Sequence, residues 1–199
     1  MTAGTPDPVA GSAEPPPAGV WNIANALTLV RIALVPVFVW FLFLDGTGWR
    51  LAAFAVFAVA SITDKIDGDV ARARGIVTDF GKIADPIADK ALTGAALVSL
   101  SLMGELWWWV TAAIMVREIG ITVMRFLLIR RSVIPASKGG KLKTMLQVIA
   151  IGLYLLPGPL DYLRWAAMGA ALVVTVWTGV DYVVQAWRQR GASGAAEAG

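Results

Sequence analysis

Four aspartates, Asp64, Asp67, Asp85 and Asp89, are the residues of this chain whose type and spacing could do chemistry. Asp64 and Asp67 are three positions apart and Asp85 and Asp89 four, so on helices each pair shares one face. Both pairs border long apolar runs, where a carboxylate is costly unless something compensates it. Four converging carboxylates repel one another, and a cation is the natural compensator. The chain has no Cys and no His, which removes the usual ligands of zinc, copper and iron. Oxygen-only ligands favour magnesium, manganese or calcium. The expectation is a divalent-metal site at a membrane surface, with Asp64, Asp67 and Asp85 as the first candidate ligands. A lone Asp near a helix end would be an ordinary boundary charge. Four at these spacings, with Gly68, Arg72 and Gly81 set between them, call for a partner.

The elements that must position these residues are apolar. The 199 residues have a mean hydropathy of +0.68 and are 57% hydrophobic, while charged residues make up 16%, below the quarter usual in globular chains. This composition predicts an all-α polytopic membrane protein with one domain. Six transmembrane helices are expected, at roughly 26–44, 50–70, 82–103, 106–130, 144–157 and 161–187. Residues 1–20, rich in Pro, Gly and Ala and without Lys or Arg, are read as a disordered tail. Residues 21–190 form the membrane domain, with a short interfacial segment at its start around Trp21, and 191–199 form a second disordered tail. Pro36 is expected to kink the first span, and Pro86 to sit in the first turn of the third. The second span offers a small-residue face in Ala52, Ala53, Ala55, Ala58, Ala60 and Ser61 for close packing. The polar loop at 73–80 is short, so the helices carrying the two acid pairs are antiparallel neighbours.

A second set of candidates is basic. Arg31 lies inside the first span, where it either snorkels to the headgroups or faces a phosphate. Arg117 and Arg125 share one face of the fourth span, with Glu118 next to Arg117. An Arg117–Glu118 pair holding helices together is the plain account; a cavity or substrate path is the functional one. The stretch from Arg130 to Lys143 is the most basic, and Lys138-Gly-Gly-Lys141-Leu-Lys143 sets three ammonium groups on flexible backbone. That combination suits phosphate binding, because the orientation of a membrane protein needs the charge but not the glycines. Of the 17 Lys and Arg, only Arg50 and Arg164 fall at the span ends away from the aspartates. The positive-inside rule therefore places the acid cluster on the cytoplasmic side. Nucleic acid is an unsuitable partner, since the basic residues lie beside apolar runs.

The central stretch reads Asp64-x-x-Asp67-Gly68-x-x-Ala71-Arg72, then eight residues, then Gly81-x-x-x-Asp85-x-x-x-Asp89. It resembles the signature of the CDP-alcohol phosphotransferases, integral membrane enzymes that make phospholipid head groups, and every fixed position is present. Two divalent cations, Mg2+ or Mn2+, held by shared carboxylates suit attack at phosphorus. The resemblance implies that Asp89 touches the second cation and acts as general base toward an attacking hydroxyl. It also implies that Asp67, Gly68, Ala71 and Arg72 hold the CDP group, with Gly81, Thr28 and Arg31 as further contacts on that side, and that the protein is a homodimer. A finer likeness, to the phosphatidylglycerophosphate synthases of bacteria, runs through Asn22–Arg31, Val77–Lys90, Arg117–Arg125 and Lys138–Gln147. It implies CDP-diacylglycerol and glycerol 3-phosphate as substrates, in a bacterial inner membrane. Arg117, Arg125, Lys138, Lys141 and Lys143 would then bind the acceptor's phosphate. Two other readings stay open at this point: inositol phosphate as acceptor, and a divalent-cation transporter lined by the carboxylates.

Overall fold

The computed structural model describes residues 23–74, 79–128 and 138–196. The expected N-terminal tail, the interfacial segment at Trp21 and most of the basic loop before Lys138 lie outside them. The described residues form helices and turns with no strand: α1 (Ile23–Phe43), α2 (Thr47–Arg74), α3 (Asp79–Leu102), α4 (Trp108–Leu128), α5 (Lys138–Leu155) and α6 (Asp161–Ala196). These follow the six expected segments in order, with shifted ends. The α6 helix continues past Arg190 to Ala196. At the other end, α3 begins at Asp79, so Pro86 lies beyond its first turn and removes one interior backbone hydrogen bond. The α1 helix runs unbroken through Pro36.

Helix α1 packs on α2 and α3, α5 packs on α6, and α4 bridges α3 and α6. The core between them is built from Phe38 and Leu42 of α1, Phe57 of α2, Leu97 and Leu100 of α3, Ile114 of α4 and Ile151 and Leu155 of α5. On α2 the buried stripe is Ala53, Phe57 and Ala60, a helical spacing of four and three. Ala55 from the expected small-residue face points outward instead, because the stripe turns with the 3.6-residue period.

The outer surface is apolar as well. Trp40, Val59, Leu102, Trp107, Val116, Val173 and Trp177 are all exposed. Apolar residues thus cover the surface of the bundle as well as filling its core. By length and composition two of its helices qualify as membrane spans, Ala26–Phe43 and Asp161–Gln185, and α5 contributes a shorter apolar stretch, Leu142–Leu155. In α2, α3 and α4 the apolar runs are interrupted by the ionisable residues of the candidate site.

The ends opposite those residues are closed by local chemistry. Gly104, at φ +75°, ends α3: Glu105 N–H donates to Leu100 C=O (3.0 Å) and Gly104 N–H to Ser101 C=O (3.1 Å). This Schellman pair needs the left-handed residue that glycine supplies without strain. The turn presents Glu105 to Arg50 of α2, whose guanidinium pairs with both carboxylate oxygens and also donates to Tyr154 C=O (2.7 Å) and Leu155 C=O (3.3 Å). Arg164 of α6 donates to Leu153 C=O (3.0 Å) and to Leu156 C=O. The two arginines that break the charge asymmetry thus cap the same C-terminus, that of α5, where a cation meets the carbonyl end of the helix dipole. Arg50→Ala is expected to destabilise the fold by about 1–3 kcal/mol, since it strips the caps and orphans Glu105. Thermal unfolding in detergent should show a lowered midpoint; an unchanged one would refute the capping role.

Candidate active site

The site is assembled by α1 first. Thr28 and Arg31 are three apart on one helical face and almost fully buried, at 1% and 2% exposure. Thr28 Oγ1 donates to Asp85 Oδ1 at 2.5 Å, and the Arg31 guanidinium pairs with Asp64. One face of α1 therefore holds an acid from α2 and an acid from α3. Arg31 is buried, with its charge turned to Asp64. Asp64 and Asp89 are half-buried and Asp85 is exposed, so their oxygens remain within reach of solvent.

Asp67, Gly68, Ala71 and Arg72 lie on the last turns of α2, and Gly81 on the first of α3, but their side chains lie outside the described residues. The same holds for Arg125 at the end of α4 and for Lys138 and Lys141 at the start of α5. Among the described residues, no three acidic side chains gather into a group that could hold a metal. The chemistry of the donor set nevertheless fits a hard divalent cation. Asp64, Asp85 and Asp89 offer oxygen only, each from a helix that brings it to the same end of the bundle. Two of them are held by an α1 side chain that orients the carboxylate without enclosing it.

Beyond Asp89 the acids meet the bases. Lys90 Nζ lies 3.0 Å from Asp89 Oδ2 and 2.6 Å from Glu118 Oε2. Glu118, 3% exposed, also accepts Arg117 Nη1 at 3.0 Å and the Lys143 ammonium. One buried carboxylate on α4 thus holds cations from α3, α4 and α5. A buried charge is tolerable only when paired in this way, and here the cations outnumber it. Arg117 is fixed on its far side as well, donating from Nη2 to Thr178 Oγ1 of α6 at 2.8 Å. Next to Thr178, Gly179 makes room for the arginine: a Cβ there would meet Arg117 Cγ at 3.0 Å. The plain account of Arg117, an ion pair with Glu118, is present, but as one arm of a larger cluster.

Of the sequence candidates, the structure brings together Thr28, Arg31, Asp64 and Asp85 as one group and Asp89, Arg117 and Lys143 as another. Lys90, Thr178 and Gly179 were not among those candidates, and Glu118 was named only as the partner of Arg117. A Lys immediately after Asp89 inside an apolar run, and a single Glu inside a span, were the available signals for Lys90 and Glu118. Thr178 and Gly179 carry no such mark.

The profile of the CDP-alcohol phosphatidyltransferase family matches residues 21–177. A probable phosphatidylglycerophosphate synthase of Mycobacterium tuberculosis is 50% identical over 202 residues, covering 96% of this chain and 97% of that protein. The CDP-diacylglycerol–glycerol-3-phosphate 3-phosphatidyltransferase of Bacillus subtilis is 35% identical, covering 84% of this chain and 96% of its own. That of Escherichia coli K12 is 37% identical, covering 82% and 93%. Each match spans the acid pairs on α2 and α3 and the cations around Glu118, and the chain belongs to the CDP-alcohol phosphatidyltransferase family.

Proposed function

We propose that this protein transfers phosphatidyl from CDP-diacylglycerol to the primary hydroxyl of glycerol 3-phosphate, giving phosphatidylglycerophosphate and CMP. The observation that carries this reading is Lys90, which links Asp89 to the Glu118 cluster. It makes the acids and the phosphate-seeking cations two halves of one site, as an acceptor with a hydroxyl at one end and a phosphate at the other requires. A cation transporter would have no use for the second half. The likeness to proteins named for this reaction supports the choice of acceptor over inositol phosphate.

Asp64, Asp67, Asp85 and Asp89 would hold two Mg2+ or Mn2+ ions, which when bound supply Lewis-acid stabilisation of charge on the phosphoryl oxygens. The chain's own residues do the rest. Thr28 and Arg31 set the orientation of Asp85 and Asp64. Gly68 and Ala71 admit the nucleotide against α2, and Arg72 binds a diphosphate oxygen. Asp89 takes the proton from the acceptor hydroxyl as its oxygen bonds to the phosphorus bearing diacylglycerol, while the bond from that phosphorus to the CMP oxygen breaks. Arg117 and Lys143, with Arg125, Lys138 and Lys141, attract the acceptor's phosphate. All six helices cross the bilayer in this reading, the site opens to the cytoplasm where the basic residues concentrate, and the chain pairs with a second copy as in the family it resembles.

CMP release by the purified chain in detergent with CDP-diacylglycerol tests the reaction. Release should require glycerol 3-phosphate and fail with inositol phosphate; release with inositol phosphate alone would reverse the assignment. A second expectation concerns α6. Gly179→Val should push Arg117 off its seat and raise KM for glycerol 3-phosphate by about tenfold to a hundredfold, as a displaced positioning group does. The KM for CDP-diacylglycerol should stay near normal, and a parallel rise in both would place Arg117 elsewhere in the mechanism.

A further inference from the structure

Gln147 lies one helical turn beyond Lys143 on α5, so the two share a face. It is 3% exposed, and its Nε2 is buried with no hydrogen-bond partner among the described residues. An amide N–H left in that state carries a desolvation penalty, so its retention calls for a reason. The side chain borders a cavity of about 10 Å3 whose walls include Asp89, Lys90, Glu118, Lys143 and Thr144. That volume admits one water-sized group and no more. A phosphate is too large for it. A single hydroxyl fits.

We infer that Gln147 is a specificity-determining residue that donates from Nε2 to the secondary hydroxyl of the acceptor, on the carbon adjacent to the one that bears the attacking oxygen. This rests on the proposed reaction, in which Asp89 receives the proton of the primary hydroxyl. With that hydroxyl at Asp89, the neighbouring one is the only acceptor group near enough to enter a cavity that Asp89 itself borders. The amide N–H then gains the partner it lacks, and an acceptor without that hydroxyl leaves the N–H unsatisfied. A site built this way rejects the deoxy analogue more strongly than an apolar pocket would.

The experiment compares glycerol 3-phosphate with 3-hydroxypropyl phosphate, which lacks only the secondary hydroxyl, as acceptors for CMP release by the full chain. The unaltered protein should favour glycerol 3-phosphate in kcat/KM by about tenfold or more. Gln147→Met, of similar length but without the donor, should bring the ratio to within about threefold of unity. The loss should fall on glycerol 3-phosphate and leave the analogue's rate nearly unchanged. Gln147→Leu, which has no polar group at that place, should do the same and serves if the Met variant does not fold. Equal loss on both acceptors, or a ratio unchanged in the variants, would overturn the inference and leave the cavity as a seat for structural water. Absence of CMP release with glycerol 3-phosphate in the unaltered protein is a separate result and would overturn the reaction itself.

Discussion

Asp89→Asn is expected to lower kcat by about 10²–10⁴-fold, the usual contribution of a positioned general base, while binding of CDP-diacylglycerol is largely kept. The amide has nearly the shape of the carboxylate and can still accept from Lys90, which holds Asp89 Oδ2 at 3.0 Å. What it cannot do is take up a proton at neutral pH. The variant therefore separates proton transfer from the architecture of the site. Rates of CMP release at saturating glycerol 3-phosphate, with CDP-lipid binding measured alongside, give the two numbers. Turnover within a few fold of normal would remove Asp89 as the base and point to another acceptor for the proton.

Removal of divalent cations should have an effect of similar or larger size. Chelation is expected to reduce CMP release by about 10³-fold or more, since Lewis-acid stabilisation contributes several kcal/mol and each 1.36 kcal/mol is tenfold in rate. Addition of Mg2+ or Mn2+ should restore it. The all-carboxylate donor set, in a chain with no Cys or His, predicts that zinc will not substitute. Full turnover after exhaustive chelation would refute the metal reading of Asp64, Asp67, Asp85 and Asp89 and leave Arg31 and Lys90 as the counter-charges of the acids.

The stretches between charged residues were long and apolar enough to count six helices and to order them, and the structure follows that order. Their ends were less legible. Pro86 read as a first-turn residue because the polar residues before it looked like loop, yet α3 starts at Asp79. Polar composition marks where a helix leaves lipid, which need not be where its hydrogen bonds stop.

The acid pairs were visible in one dimension for a simple reason. Each is a local motif, with partners three or four residues apart on one helix, so spacing alone places them on a common face. The same locality exposed Arg117 as a charge out of keeping with its apolar surroundings, and Lys143 as part of a basic, glycine-bearing stretch. What joins these groups is not local. Thr28 reaches Asp85 across 57 positions, and Arg117 reaches Thr178 across 61. Glu118 meets Lys143 across 25. No period in the chain encodes such contacts; they exist because α1 lies against both α2 and α3, and α4 against α3 and α6. The residue types and their helical faces were therefore determined by sequence. That Lys90 and Glu118 link Asp89 to Arg117 and Lys143, with Gln147 lining the cavity beside them, was decided only when the helices packed.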